Sequence, residues 1–514
     1  MLVNENAALY FVDRHVEDGR GDKVAFREAD GARRTLTYRQ LAEESARFAG
    51  ALARCGVRRE ERVVMVVLDQ IEFPVAFWGA MKAGAIPVPL NTLLSTAVYA
   101  TILEDARASV LVVSGELWPS LAPAAAASRH LRTVVVIGDA PPGTQTFSAF
   151  MDGVEPAPVV EAHADEPAFW LYSSGSTGAP KGVRHIHSSL KATCDTFGSQ
   201  VLGIRAEDTV FSAAKMFFAY GLGNAISFPM AVGATTVIHA GRPTPDAVLD
   251  IVAREAPTIF CGVPTLFAAV MARQDQLGGP PAHRLRLCTS AGEALPREIG
   301  ERWERSWGTP VIDGVGSTEM LHIFLSNRPG DIVYGTSGTP VPGYEVRLVD
   351  EHDREVGEGE VGELLVRGPS SADGYWKRRD KSQSTFAGHW TRTGDKYERT
   401  ADGRYVYCGR TDDMFKVSGI WVSPFEVEQA LVEHPAVLEA AVVAREDADK
   451  LLKPAAYIVL KQGADRDVQH DLKEFVKTRI GMWKYPRWIE VVDDLPKTAT
   501  GKIQRYKLRE RESA

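Results

Sequence analysis

The stretch AFWLYSSGSTGAPKG (168–182) begins as an apolar, strand-like run and passes directly into a loop of serine, threonine and glycine. Backbone N–H groups and hydroxyls in such a loop can surround an anion, and glycine permits close approach. Lys181 adds a positive charge, so the stretch is either a phosphate-binding loop or a flexible surface loop, and the loop alone does not decide between the two. It departs from the Walker pattern, because Pro180 replaces the second glycine and Gly182 the final hydroxyl residue.

Outward from this loop, the first four-fifths of the chain alternates apolar runs with amphipathic helical patterns. The runs RVVMVVL (62–68), ASVLVVSG (108–115), TVVVIGD (133–139) and TIFCGVP (258–264) are rich in β-branched residues. Continuous runs of this kind are typical of strands covered on both faces in parallel α/β sheets. Between them, residues 37–56 show helical spacing of apolar residues, with Gly56 as the stop.

The pattern changes after about residue 340. YEVRLVD, GELLVRG and GRYVYCGR predict antiparallel strands. Ser423 to Glu426 predicts a capping box with proline at the first helical position. Two strand-like runs and a helix near residues 468–481 follow. We therefore predict an α/β fold: a large N-terminal domain with mostly parallel sheets and an antiparallel barrel-like part, plus a small, mobile α+β C-terminal domain.

Composition limits the partners. The 514 residues carry a net charge of -8 with both signs interspersed, so nucleic-acid binding is not expected. The N-terminus has no basic region followed by an apolar stretch, and the run ISFPMAVGATTVI is too short to span a bilayer. Five cysteines without a C-x-x-C pair indicate reduced thiols. We expect a cytoplasmic protein without membrane association, and leave open whether it forms a homodimer.

Five further motifs follow the opening loop in order: TSAGEALP (289–296), DGVGSTEM (313–320), TRTGDK (391–396), GRTDDMFKVSG (409–419) and PKTATGK (496–502). Together the six resemble the adenylate-forming superfamily of acyl-CoA synthetases, adenylation domains and beetle luciferases. The match extends from about residue 20 to the C-terminus. KMFFAYGLGN (215–224) and STEMLHIF (317–324) further resemble the benzoate–CoA ligase branch.

The resemblance implies a two-step reaction that uses ATP, Mg²⁺ and coenzyme A. A carboxylate attacks the α-phosphate of ATP to give an acyl-adenylate and pyrophosphate, and the thiol of coenzyme A then displaces AMP. In the first step an anion approaches a polyanion, so cations and oriented donors must neutralise charge. No protein nucleophile is needed, and the chain contains no G-x-S-x-G motif.

Carried onto this sequence, the family's phosphate-binding roles fall on one lysine and three hydroxyls: Lys181, Ser174, Ser176 and Thr177. In the T-E pair, Thr318 is expected near the α-phosphate and Glu319 on Mg²⁺, which prefers oxygen ligands. Lys502 matches the lysine that bridges the carboxylate and the α-phosphate.

The remaining nucleotide contacts are implied in the same way. Asp395 and Arg410 match the residues that hydrogen-bond the ribose hydroxyls. Val315 stands where many members carry a tyrosine that stacks on adenine, so adenine is expected to rest on other backbone, with Asp313 facing its amino group. The further positions assigned to the nucleotide are Ala291, Gly292, Glu293, Gly314, Gly316 and Ser317.

The resemblance also implies two domains, residues 1–411 for AMP and the aryl acid and residues 412–514 with the catalytic lysine. Lys502 serves adenylation, whereas the segment around Lys416 serves thioester formation, so the small domain is expected to rotate between the steps. Asp412 occupies the hinge position, and Gly419 would line the tunnel for the coenzyme A pantetheine arm.

The acyl pocket is predicted to be flat and aromatic. Its expected lining is Phe218, Ala219 and Tyr220 on one side and Gly316, His322 and Ile323 on the other. Such a pocket suits a planar ring, so benzoate is the first choice of aryl carboxylate. 4-Hydroxybenzoate, 2-aminobenzoate and fluorinated benzoates remain open, as does the protonation state of His322.

Three other interpretations compete with this assignment. A stand-alone adenylation enzyme would pass the aryl group to a carrier protein instead of coenzyme A. A catalytically silent nucleotide-binding protein is disfavoured because Glu319, Asp395, Arg410 and Lys502 occur together. His185 and His187 would share one face of a strand, but no third metal ligand is evident nearby.

Overall fold

The computed structural model describes residues 4–174, 180–411, 413–417, 420–447, 451–482, 484–497 and 503–512. The chain divides into two compact units, Met1–Val346 with Val366–Thr391, and Arg347–Leu365 with Arg392–Ala514. Each unit is described by itself. No helix in the described ranges combines the length and apolar character needed to cross a membrane. The predicted domain boundary at Asp412 stays a prediction of the sequence.

The first unit contains a nine-stranded sheet. Its six central strands are parallel and its outer strands are antiparallel. In spatial order the strands are Thr339–Pro340, Ile323–Ser326, Val311–Gly316, Leu287–Ser290, Ile259–Gly262, Thr209–Ser212, Thr235–Ile238, Val24–Glu28 and Thr35–Thr37. The core on this sheet contains buried Phe260, Phe267 and Trp303.

A second, five-stranded sheet is parallel throughout. Its strands, in spatial order, are Ile86–Pro89, Arg62–Val66, Ala108–Ser114, Thr133–Ile137 and Gln145–Thr146. The β-branched runs predicted this arrangement correctly, because strands covered on both faces must be apolar along their length. Three antiparallel strands form a further sheet, in the order Gly374–Tyr375, Pro180–Ile186 and Pro167–Ser174.

The helices of the first unit cover these sheets. Thr37 caps the long helix Tyr38–Arg54 through a capping box with Gln40, and Gly56 follows it with a positive φ of 69°. The α-helices are Arg14–Glu17, Tyr38–Arg54, Glu72–Lys82, Thr96–Ala106, Trp118–Ala127, Phe147–Met151, His187–Thr193, Ala219–Leu222, Phe228–Val232, Pro245–Glu255, Pro264–Leu277, Arg297–Trp307 and Arg379–Thr385. Shorter π- and 3₁₀-helical segments are Leu9–Asp13, Gly115–Leu117, Cys194–Val201 and Gly223–Ser227.

Strands between residues 345 and 410 form a sheet with antiparallel pairing, as the segments after residue 340 predicted. Strand Trp390–Arg399 pairs with Tyr405–Arg410, and at its start with Phe386–Ala387. Strands Glu345–Val349 and Val361–Arg367 continue this sheet. The predicted α/β class with an antiparallel part is thus confirmed.

The C-terminal part of the second unit is a small α+β arrangement. A hairpin, Phe415–Val417 with Ile420–Val422, precedes a three-stranded sheet. That sheet consists of Val437–Glu446, Leu452–Leu460 and Trp488–Val491, and the helices are Pro424–Val432, Gln469–Ile480 and Arg505–Glu512. The Ser423 hydroxyl accepts from the Glu426 N–H, confirming the cap, but the Glu426 carboxylate bonds to Lys484 Nζ at 2.7 Å. The capping box is therefore only half formed.

Candidate active site

The opening loop connects two antiparallel strands. Strand Pro167–Ser174 precedes it and strand Pro180–Ile186 follows it, and the two are paired along their length. Pro180 is the first residue of the return strand, a position where a missing N–H is tolerated. Lys181 therefore projects from a strand end next to the loop.

The segment Thr318–Glu319 is held by three hydrogen bonds, one from strand Pro180–Ile186 and two from residues 372–375. His185 Nε2 lies 2.9 Å from the carbonyl oxygen of Thr318. The N–H of Ala372 donates to the carbonyl of Glu319 at 2.8 Å, and the Tyr375 hydroxyl donates to Glu319 Oε1 at 2.8 Å. The position of the Glu319 carboxylate is thus set by a side chain and by the backbone.

Lys181 and Glu319, both predicted phosphate-site residues, meet at one aromatic ring. Lys181 Nζ lies 4.7 Å from the centroid of the Tyr375 ring, whose hydroxyl bonds to Glu319. A cation at this distance over a tyrosine face is attracted by the ring quadrupole. A carboxylate oxygen is a suitable ligand for Mg²⁺, so Glu319 fits the metal role that its motif implies.

The two histidines of VRHIHSS have separate roles. Burial lowers the pKa of His185 to about 3, so its ring is neutral and the proton on Nε2 is donated to Thr318. His187 instead begins a helix, and its Nδ1 accepts from the N–H of Ala7 at 3.1 Å. Across the described ranges, no three His, Cys, Asp or Glu side chains are grouped to hold a metal ion.

The hairpin between Val311–Gly316 and Ile323–Ser326 joins residues predicted to bind the nucleotide with residues predicted to line the acyl pocket. Gly314 lies against Ile323, because an added Cβ would meet Ile323 Cγ2 at 2.7 Å. Gly316 lies against His322, whose carbonyl oxygen would be 2.5 Å from such a Cβ. The absence of side chains at these two glycines lets the hairpin close and brings His322 and Ile323 to the end of the strand that carries Asp313.

Asp313 is a buried carboxyl within the strand Val311–Gly316, at its last parallel-paired position, in register with Ser290. Its Oδ2 accepts from the Leu295 N–H at 3.3 Å, while Oδ1 has no hydrogen-bond partner in the described structure. Burial raises its pKa to about 8, so the group is protonated at neutral pH. The turn with Ala291, Gly292 and Glu293 directly follows Ser290, where the motif assigned the adenine surface.

Four rings, which we call the aromatic wall, stand beside this hairpin. The His322 ring centroid lies 5.5 Å from that of Tyr220, 5.2 Å from Phe197 and 4.5 Å from Phe228. The Tyr220 hydroxyl donates to the Thr289 carbonyl at 2.9 Å, which ties the ring to the strand Leu287–Ser290. Tyr220 and His322 were predicted to line one pocket, and the structure brings them together.

His322 is neutral inside the aromatic wall. Burial lowers its pKa to about 3, against an opposing hydrogen bond in which Nε2 faces the Tyr220 carbonyl at 3.3 Å. Its Nδ1 is buried without a partner among the described residues. Gly223 makes room for the ring, since an added Cβ would meet His322 Cδ2 at 2.3 Å. Phe218 and Ala219 precede Tyr220 at the start of the same short helix.

In the second unit, the two predicted ribose ligands form an ion pair. Arg410 Nη1 donates to Asp395 Oδ1 at 2.9 Å and to the Thr393 carbonyl at 3.2 Å. The two residues are directly opposite in the pairing of Trp390–Arg399 with Tyr405–Arg410. A carboxylate with a fixed cation beside it is suited to accept from the vicinal hydroxyls of a sugar.

Several predicted residues cannot be placed. Those outside the described residues are Ser176, Thr177, Asp412, Gly419 and Lys502. Ser174 and Lys416 are described through their backbone alone, each in a strand.

Some residues of the site were missed from the sequence. Tyr375 and His185 hold the T-E segment, whereas Phe197 and Phe228 are fully buried rings that pack against His322. None of these four was assigned a site role. Apolar spacing cannot distinguish a pocket aromatic from a core aromatic. The only signal for His185 was its place two residues before His187, and that signal suggested a metal.

Comparison with known proteins identifies the class. Residues 12–376 match the AMP-binding enzyme family, and residues 426–502 match the AMP-binding enzyme C-terminal domain. The chain belongs to this family of adenylate-forming enzymes.

Particular relatives are aryl acid ligases. The chain is 52% identical over 516 residues to a 4-hydroxybenzoate–CoA/benzoate–CoA ligase of Rhodopseudomonas palustris, covering 99% of this chain and 94% of the relative. It is also 52% identical to a benzoate–CoA ligase of Thauera aromatica, covering 98% and 95% of the two chains. The crystal structure of a benzoate CoA ligase from Burkholderia xenovorans LB400 matches with a TM-score of 0.90 at 47% identity, covering 99% of this chain and 100% of that one.

Proposed function

We propose that the protein is an AMP-forming benzoate–CoA ligase. The observation that carries this proposal is the aromatic wall beside Gly314 and Gly316. The partly exposed ring of Tyr220, backed by the buried rings of the wall, suits a planar aryl acid better than a flexible fatty chain. The similarity to two benzoate–CoA ligases supports coenzyme A as the acyl acceptor.

In the first half-reaction, a carboxylate oxygen of the acid bonds to the α-phosphorus of ATP. The bond from that phosphorus to the bridging oxygen breaks, and pyrophosphate leaves. We assign Lys181, with the loop hydroxyls of Ser174, Ser176 and Thr177, to the β- and γ-phosphates. Thr318 is assigned to the α-phosphate. These groups offset charge that increases at the transition state.

Glu319 would hold Mg²⁺ through its carboxylate, and that cation would neutralise the phosphates as pyrophosphate departs. We assign Asp395 and Arg410 to the ribose, Asp313 to the adenine amino group and Lys502 to the bridge between the carboxylate and the α-phosphate. The protonated Asp313 keeps an oxygen that can accept from that amino group.

In the second half-reaction, the sulfur of coenzyme A bonds to the acyl carbon of the adenylate. The acyl–phosphate bond breaks, AMP leaves with the electron pair, and the thiol proton passes to solvent. We assign this step to the segment around Lys416, with Gly419 beside the pantetheine arm. Asp412 is the proposed hinge, because one domain carries residues for both steps.

The substituted benzoates are the second candidate substrates. They are favoured because the Rhodopseudomonas palustris relative is a 4-hydroxybenzoate–CoA/benzoate–CoA ligase. His322 Nδ1, a buried acceptor without a partner among the described residues, offers a site for a ring hydroxyl or amino group.

The test is a screen for AMP release with ATP, Mg²⁺ and coenzyme A across benzoate, 4-hydroxybenzoate, 2-aminobenzoate, phenylacetate, cinnamate and octanoate. We expect the largest kcat/KM for benzoate and little turnover of octanoate. Each acid is also tested without coenzyme A. Steady AMP release that needs a carrier protein instead would contradict the ligase assignment, as would absence of pyrophosphate exchange with every aryl acid.

A further inference from the structure

Tyr375 touches two residues that the proposed function assigns to the phosphates and the metal. Its hydroxyl donates to Glu319 Oε1 at 2.8 Å, and Lys181 Nζ lies 4.7 Å from its ring centroid. Both partners are distant from Tyr375 in sequence. Glu319 is 56 residues away, and Lys181 lies in the strand Pro180–Ile186. One side chain therefore links the strand after the phosphate loop to the T-E motif.

The tyrosine is itself held firmly. It lies in the short strand Gly374–Tyr375, paired with Val183 of the strand Pro180–Ile186. Its N–H donates to Ser382 Oγ at 3.0 Å, and its ring centroid lies 5.3 Å from that of Phe386. Only 5% of the residue is exposed. Its hydroxyl is therefore a fixed donor, and its ring is a fixed surface.

The hydroxyl of Tyr375 orders the carboxylate of Glu319, which is the proposed ligand of the divalent cation. An O–H donor to an ionised carboxylate makes a strong, directional hydrogen bond. Oε1 is engaged by Tyr375, and no other described side chain bonds to Glu319, so the second oxygen, Oε2, is presented in one orientation. A glutamate side chain loses rotamer entropy when it is ordered. Ordering it beforehand reduces that cost at the moment of metal binding.

We propose that Tyr375 is a positioning residue that presets Glu319 for the divalent cation and Lys181 for the phosphates. This inference rests on the proposed function. The two contacts use different parts of the tyrosine, so they can be separated by substitution. Tyr375→Phe removes the hydroxyl and keeps the ring, whereas Tyr375→Leu removes both.

The test measures metal binding directly. Mn²⁺ is titrated by electron paramagnetic resonance into the full-length protein saturated with α,β-methylene-ATP, which cannot release pyrophosphate. We expect Tyr375→Phe to raise the dissociation constant for Mn²⁺ about tenfold, the loss typical of one hydrogen bond to a charged group. Binding of the metal-free nucleotide analogue should stay within twofold. Tyr375→Leu should weaken both.

The matched control is Tyr334→Phe. Tyr334 is a buried tyrosine of the same unit, and its hydroxyl donates to Glu304 Oε2 at 2.9 Å, so the variant loses the same kind of bond elsewhere. Its Mn²⁺ affinity should equal that of the wild type. A general loss of packing would lower the affinity in both variants, and that result would overturn the proposal.

A double-mutant cycle with Glu319→Gln tests whether the Tyr375 hydroxyl influences Mn²⁺ binding through the Glu319 carboxylate. If the hydroxyl acts through the carboxylate, adding Tyr375→Phe to Glu319→Gln should change Mn²⁺ binding by less than twofold. Unaltered Mn²⁺ affinity in Tyr375→Phe alone, or full additivity in the cycle, would overturn the proposed role. Failure of the ligase assignment would appear differently, as wild-type protein that binds Mn²⁺ with the analogue but forms no benzoyl-CoA.

Discussion

The guanidinium of Arg410 is fixed on the carboxylate of Asp395, with 2.9 Å between Nη1 and Oδ1, across two adjacent antiparallel strands. The motifs TRTGDK and GRTDD thus form one site, although they are separate in sequence. Gly394, with φ of 71°, lies under this pair, and an added Cβ would stand 3.0 Å from Arg410 Nη2. A small residue that accepts a left-handed backbone is needed there.

Asp395→Asn should raise the KM for ATP about ten- to a hundredfold in pyrophosphate exchange, because a hydrogen bond from the ribose to a charged acceptor is lost. Thermal stability should change less than binding, because Asn keeps the size of the buried Asp395 side chain and Arg410, whose side chain is 44% exposed, stays hydrated. Asp402→Asn is the control, as Asp402 forms an ion pair with Arg404 at 2.9 Å on a neighbouring turn. An equal rise in KM in both variants would contradict the ribose assignment.

Lys502→Ala should lower the adenylation rate by about a hundredfold or more, because a charge that offsets the developing anion is removed. Thioester formation from supplied benzoyl-adenylate should continue. Lys497→Ala removes a charge from the same motif, where Lys497 Nζ bonds to Glu439 at 2.9 Å, and should spare both half-reactions. Equal loss of the two half-reactions in Lys502→Ala would refute its assigned role.

Ala219→Leu should narrow the acyl pocket. We expect kcat/KM for 4-hydroxybenzoate to fall by about tenfold or more relative to benzoate, while the KM for ATP stays constant. Ala97→Leu, at an exposed helix position, controls for the added bulk. Undiminished use of para-substituted benzoates would count against the placement of Ala219 in the pocket.

Gly223→Ala should disturb the aromatic wall. The added methyl would meet His322 Cδ2 at 2.3 Å, and overpacking of this kind costs about 1–3 kcal/mol. Scanning calorimetry should show a lower melting temperature, whereas Gly357→Ala at an exposed turn should not. In Gly223→Ala/His322→Ala, the loss should be smaller than the sum of the single losses. Strict additivity would mean that the ring is not what the methyl displaces.

Asp313 makes stability depend on pH. Burial raises the pKa of its carboxyl from 3.8 to about 8, so the folded protein keeps a proton that the unfolded chain releases between these values. This contribution is complete below pH 4 and is lost as pH rises through 8, with a slope of up to about 1.4 kcal/mol per pH unit. The wild-type melting temperature should fall between pH 5 and 8.5 more steeply than that of Asp313→Asn.

Asp208→Asn is the control, because the pKa of Asp208 is shifted downward and that of Asp313 upward. Although burial acts to raise the pKa of Asp208, hydrogen bonds from Arg286 and Thr258 lower it, so its contribution is constant above pH 5. This variant should melt at a lower temperature but keep the wild-type slope. Identical slopes in the wild type and Asp313→Asn would show that Asp313 does not hold the proton.

Much of the fold could be predicted because its signals are local. The run at 108–115 became strand Ala108–Ser114, and helical spacing before Gly56 became helix Tyr38–Arg54. Site roles could be assigned from the sequence where a motif is continuous, as in Thr318–Glu319, and those roles stay predictions. The contacts between motifs were not, because Tyr375 reaches Glu319 only when a distant short strand pairs beside Val183.

The class of this protein could be predicted from the sequence by itself, because six motifs in order resemble those of the adenylate-forming superfamily. The tertiary structure decided how individual side chains ionise and which neighbours hold them. The neutral rings of His185 and His322 and the protonated Asp313 arise from burial by segments far apart in the chain. Desolvation depends on the whole surrounding volume, and no single stretch of sequence contains that information.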